Sequence, residues 1–158
     1  MHTPSPRGFT LIELLVVIAI ICIMSAVVLA ALNVARNRAN DTKRMAEVNQ
    51  LVKAIGNYYN DRGSLPRNSS GWCTYISNPT NGYGAAFASD IVPAYISRLP
   101  MDPVYGTQAG NYFYANENNN SGKFTVCAVL SQSTGQSYDA TFGSCAGWSS
   151  SYNYCVSQ

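Results

Sequence analysis

Few side chains in this 158-residue sequence could do chemistry, and they fall into two sets. The first is a single carboxylate. Glu13 stands five residues after Gly8, among Phe9, Leu11, Ile12, Leu14 and Leu15. From Leu14 to Ala35 no residue is charged, and those twenty-two residues would make about 33 Å of helix, enough to cross a hydrocarbon layer. A carboxylate near a bilayer costs at least ~2.5 kcal/mol at its centre and less at its edge, so Glu13 requires a partner. A nearby amine would serve, and cleavage after Gly8 would create one on Phe9.

The second set is the five cysteines. Cys22 lies inside the apolar run and reads as a small buried hydrophobe. Cys73, Cys127, Cys145 and Cys155 form an even set in the remainder of the chain, with no CxxC spacing that would point to zinc or thiol redox chemistry. Disulfides suit a small domain with a thin sheet, and they require an oxidising compartment. Four cysteines allow three pairings. The short tail loop favours Cys145–Cys155, which would leave Cys73–Cys127 to tie the connecting loop to a central strand.

Histidine is nearly absent. His2 is the only one, and it sits in a polar, proline-containing leader, MHTPSPRG, at residues 1–8. Loss of that leader would leave no imidazole, which excludes Ser-His-Asp, Cys-His and His-rich zinc arrangements together. A net charge of +2 with 11% charged residues is too sparse for a nucleic-acid surface built on charge density.

The elements that must hold these residues begin with one helix. From Phe9 to Ile55 there is no glycine or proline, so nothing interrupts a helix where the apolar run ends. Met45, Val48, Val52, Ile55 and Tyr59 recur at steps of three and four, the stripe by which the second half packs on a globular domain. Arg38, Asp41, Lys43, Arg44, Glu47 and Lys53 mostly take the other faces. Gly56 loosens the last turns, and Asp61-Arg62-Gly63 ends the helix before Leu65-Pro66. The whole element should run about 50 residues, or ~75 Å.

A loop from 63 to 82 follows, anchored by Trp72 and Cys73, then a helical turn within Phe87–Ile96 that Pro93 limits. Leu99-Pro100-Met101-Asp102-Pro103 reads as a rigid turn, because each proline also restricts the residue before it. Strands are expected at Asn111–Ala115 and Lys123–Leu130 around a polar hairpin loop, with a third at Tyr138–Phe142. The tail from Cys145 to Cys155 has no periodicity. The predicted fold is α+β, a long N-terminal helix with an apolar first half packed against a small antiparallel sheet.

Gly8-Phe9-Thr10-Leu11-Ile12-Glu13-Leu14-Leu15-Val16 resembles the processing site of type IV prepilins and type II secretion pseudopilins. The resemblance is strong over residues 1–60 and weaker beyond, although the Leu99–Pro103 turn is similar to one in pseudopilins. It implies that prepilin peptidase cuts after Gly8 and methylates Phe9, and that Glu13 acts in assembly. It implies self-polymerisation through the helix, with an assembly platform protein and ATPase as further partners. The expected organisation is a leader at 1–8, a transmembrane or filament-core helix at 9–35, and a pilin-like domain at 36–158. Within that domain the half-helix is 36–60, the loop 61–105, and the sheet with its cysteine-rich tail 106–158.

The compartment is contested by two features. Arg7 precedes the apolar helix while Arg36, Arg38, Lys43 and Arg44 follow it, which by charge would keep the C-terminal domain in the cytoplasm. The cysteines and the cleavage motif place it outside the cytoplasmic membrane, and then in a pilus or a periplasmic or extracellular filament. No cofactor is expected. Some pseudopilins hold calcium near the C-terminus, but after Asp102 this chain has only Glu117 and Asp139, too few carboxylates for such a site. The expected function is structural subunit of a type IV pilus-like filament. The alternatives are a pseudopilin of a type II secretion or DNA-uptake system and a membrane-anchored binding protein that never polymerises. An enzyme is not expected, since histidine is missing beyond the leader and acids are not clustered.

Overall fold

The structure is a computed structural model, described here for residues 8–67, 73–76, 84–104, 112–116, 122–131 and 152–158. Helix α1 runs Leu11–Arg62, 52 residues without a break. It starts where Thr10 caps it and stops where Gly63, at φ 66°, turns left-handed. The Gly63 N–H donates to the Tyr59 carbonyl at 2.8 Å, the bond that closes a left-handed helix end. Gly56 does not interrupt the helix. The remaining elements are β1 (Cys73–Tyr75), α2 (Ala85–Ile91), β2 (Tyr112–Asn116), β3 (Phe124–Ala128) and β4 (Tyr154–Ser157).

The chain divides into two compact units, Met1–Asn37 and Arg38–Gln158. In the described part of the first, every residue from Gly8 to Asn37 is exposed, including the whole apolar run. The second unit contains an antiparallel sheet in the order β1-β2-β3-β4. Strands β2 and β3 are buried on both faces. Period-two alternation sends Tyr112, Tyr114, Phe124 and Val126 into one cluster with Val48, Leu51 and Ile55 of α1. The opposite face gathers Phe113, Ala115, Cys127, Tyr152 and Cys155.

The expected stripe is present in this core. Val48, Val52 and Ile55 are buried, Leu51 and Ala54 join them, and Met45 and Tyr59 pack at its margin. Helix α2 falls where a short turn was expected and ends before Pro93. Strands β1 and β4 are new relative to the sequence reading, which took both segments as irregular. They have three and four residues, and pairing with the aromatic β2 and apolar β3 makes them strands rather than any pattern of their own. Trp72, the hairpin loop 117–121 and the expected strand Tyr138–Phe142 lie outside the described residues.

Candidate functional site

The N-terminal site is built by one helical turn. Thr10 and Glu13 form a reciprocal cap on α1. Glu13 Oε2 accepts the Thr10 backbone N–H at 2.8 Å and the Thr10 hydroxyl at 2.9 Å, while the Glu13 N–H donates to Thr10 Oγ1 at 3.3 Å. This is the Ser/Thr-x-x-Glu pattern that satisfies helix-end donors. The sequence analysis gave Glu13 an amine partner only, although Thr10-x-x-Glu13 was there to be read. Both cap bonds fall on Oε2, so Oε1 stays available for a second partner. Gly8 and Phe9 are exposed beside it, Phe9 at 89%, and nothing approaches within 4 Å of where a Cβ on Gly8 would stand.

Beyond the cap, the side chains of the apolar run face outward, and α1 is long and apolar enough to cross a membrane. Such a surface is stable only in lipid or against other apolar helices. Cys22 is free and exposed on it in the single chain, so its expected burial would come only from what covers the run.

A second constellation lies in the globular unit. Arg44 is 3% exposed, and its guanidinium forms a two-pronged pair with Asp102, Nε to Oδ2 at 2.7 Å and Nη2 to Oδ1 at 3.0 Å. Its Nη1 reaches Asp41 Oδ1 at 3.0 Å. Asp41 also accepts the Ser131 N–H at 2.9 Å and the Ser131 hydroxyl at 3.0 Å. The hydrogen bonds from Arg44 to Asp102, and then to Asp41, hold its pKa above the ordinary arginine value, so the guanidinium stays charged despite burial. The placement of Asp41 and Arg44 on outward faces is therefore corrected. A buried charge requires partners, and Asp102 is supplied by a turn 58 residues away. Glu47 is also drawn inward, where it accepts the Tyr112 hydroxyl, with Lys43 at 3.7 Å on its other side.

The cysteine pairing is corrected as well. Cys127 is bonded to Cys155, directly opposite it in the β3–β4 ladder. Phe124 and Gln158 exchange both backbone hydrogen bonds, so three residues further along, Cys127 and Cys155 form a non-hydrogen-bonded pair. There the backbones approach most closely, and the Cα atoms are 4.1 Å apart. Cys73–Cys127 is sterically closed, because β2 lies between their strands and sets them roughly 9–10 Å apart, beyond the reach of a disulfide. Cys73 is nevertheless disulfide-bonded. Cys145 lies outside the described residues.

These features define a class: a chain whose capped, exposed apolar helix follows a Gly-Phe junction and leads into a small disulfide-bonded sheet. Comparison with known proteins agrees. The family model described as "Prokaryotic N-terminal methylation motif" matches residues 4–29, which include Gly8, Phe9, Thr10 and Glu13. The chain is 50% identical over 64 residues to the type IV wide pilus major component PilA4 of Thermus thermophilus, covering 40% of this chain and 49% of that one. It is 32% identical over 103 residues to type II secretion system core protein G of Klebsiella michiganensis, covering 65% of this chain and 71% of that one. The same core protein of Escherichia coli is 33% identical over 101 residues, covering 64% and 68%. No solved structure matches the chain. The chain belongs to the family of type IV pilins and type II secretion pseudopilins, structural filament subunits that prepilin peptidase processes at this motif.

Proposed function

We propose that the mature subunit begins at Phe9, is methylated on its α-amine, and polymerises through the helix at 9–35 as part of a pilus-like filament. The observation that carries this reading is the Thr10–Glu13 cap beside the exposed Gly8–Phe9 junction. Before assembly the helix spans the cytoplasmic membrane, with the domain at 36–158 outside. A platform protein and an ATPase then move the subunit from lipid into the filament base. The helices pack there through apolar and small residues, including Ala19, Ser25, Ala26 and Ala30. Glu13, holding Thr10 through Oε2, presents Oε1 to the Phe9 amine of an adjacent subunit. In a dry core that pairing selects one axial register rather than adding much net stability.

A second reading, the pseudopilus of a secretion machine, is favoured by the extent of the core protein G alignments. They run over about 100 residues, beyond the reach of α1, whereas the PilA4 match covers 64.

Two substitutions separate the roles of Glu13. Glu13→Leu removes both cap and charge, and Glu13→Gln keeps an oxygen for Thr10 but no charge. Both should insert in membranes and yield a mature N-terminus at Phe9 by intact-mass analysis, and both should fail to form filaments. Abundant filaments from Glu13→Leu would refute the assembly role. Filaments from Glu13→Gln alone would move it from charge pairing to helix capping.

A further inference from the structure

Nineteen large apolar side chains are exposed among the described residues. Seventeen lie between Phe9 and Val34, on the surface that polymerisation covers. The other two are Met101, 52% exposed, and Val104, 57% exposed, on either side of the buried Asp102. With Pro103 also exposed, they form an apolar knuckle on the globular unit.

The knuckle is held rigidly. Asp102 is bound at its base by two hydrogen bonds from Arg44 on α1. The same carboxylate accepts the Val104 N–H at 2.8 Å, which folds the turn back on itself. Pro100 and Pro103 restrict the backbone on both sides. An exposed apolar turn fixed by a buried ion pair has already lost the conformational freedom that binding would otherwise remove.

We propose that Met101 and Val104 dock on the apolar helix surface, residues 9–34, of a second copy of this chain in the filament. This rests on the filament reading above. A second copy is the favoured occupant because the helix is the only other exposed large apolar surface among the described residues. Neighbouring subunits also bring it within reach at high local concentration. A knuckle on one copy meeting a helix on another is a heterologous contact, the kind that propagates an open helical assembly rather than closing a dimer.

The test uses the full-length chain in a strain that builds the filament. Met101→Ser/Val104→Ser should keep processing at Gly8, near-ultraviolet circular dichroism and the Cys127–Cys155 bond. Its filament yield should fall about tenfold at equal subunit level, as expected for loss of two apolar anchors. In filaments of the otherwise unsubstituted chain, p-benzoylphenylalanine in place of Val104 should photo-crosslink to a peptide within 9–34 of another subunit. Undiminished filaments from the double variant would overturn the proposal, as would capture of lipid or a different protein instead of a second copy. If the unsubstituted chain forms no filaments, the filament reading itself fails, which is distinguishable from failure of the knuckle alone.

Discussion

Asp102→Asn should destabilise the globular unit by about 2–3 kcal/mol. The Asp102 side chain is 2% exposed and Arg44 4%, so neither can turn to water when the other is lost. Breaking a buried pair of this kind costs about 3–5 kcal/mol, mostly from the charge left behind. Arg44 would retain Asp41 at 3.0 Å, which lowers the expected loss to the bottom of that range or just below it. Arg44→Met should cost more, about 4–5 kcal/mol, since it leaves Asp41 and Asp102 buried without their shared cation. Arg44→Met/Asp102→Leu should then cost less than the sum of the single losses by about 1–3 kcal/mol. Urea unfolding of the full-length protein in detergent, followed by near-ultraviolet circular dichroism, measures all three. A loss under about 0.5 kcal/mol for Asp102→Asn would place that carboxylate among weak surface pairs and refute the reasoning.

Other expectations are independent of that network. Gly122→Ala should cost about 1–2 kcal/mol in the same urea assay, because φ is +80° and the new Cβ would lie 2.8 Å from the Tyr59 hydroxyl. Gly56→Ala should instead stabilise by about 0.5–1 kcal/mol, since its Cβ would meet only Gln158 Oε1 at 3.7 Å in a helix interior. Burial, reinforced at Tyr112 by the Glu47 carboxylate, pushes the phenols of Tyr112 and Tyr114 far above their ordinary value. A raised folded pKa means their stabilisation is complete below about pH 10 and declines above it, by ~1.4 kcal/mol per tyrosine per pH unit. In an alkaline titration read at 295 nm, the last phenols should therefore ionise only as circular dichroism is lost. Reversible ionisation of all eleven tyrosines in a folded protein would contradict this. Cys155→Ser should lower stability by about 2–4 kcal/mol, and non-reducing peptide maps should join the peptides of Cys127 and Cys155.

What could be read from the sequence was local. An unbroken stretch without glycine or proline, a stripe at steps of three and four, and Asp61-Arg62-Gly63 define α1 through contacts no more than four residues apart. Strands β2 and β3 were legible within about two residues because each is aromatic or apolar and a polar loop separates them. Strands β1 and β4 were not, since their pairing depends on partners about 40 and 30 residues distant. The Cys127–Cys155 bond failed for the same reason, because register decides it and register is not local. Arg44 was misread because a charged residue three or four positions from other charges looks like a solvent face. Its burial is tolerable because Asp102, arriving from a distant turn, joins Asp41 from its own helix in pairing with it.

Glu13 joins the local and the distant. Its spacing from Gly8 pointed to a partner on another subunit, while the structure gives it one on its own first turn. If the carboxylate were bare in the monomer, assembly would relieve a large penalty and almost any amine nearby would be accepted. Capped by Thr10, the carboxylate is already partly satisfied, so the remaining gain from a neighbouring Phe9 amine is smaller and more dependent on geometry. Weak, directional pairing of that kind discriminates between axial registers better than strong pairing would, because a misplaced subunit loses little by leaving. We infer that the cap and the pairing work as one device. On the proposed filament reading, Thr10 would keep Glu13 tolerable in lipid and Oε1 would keep it selective between subunits.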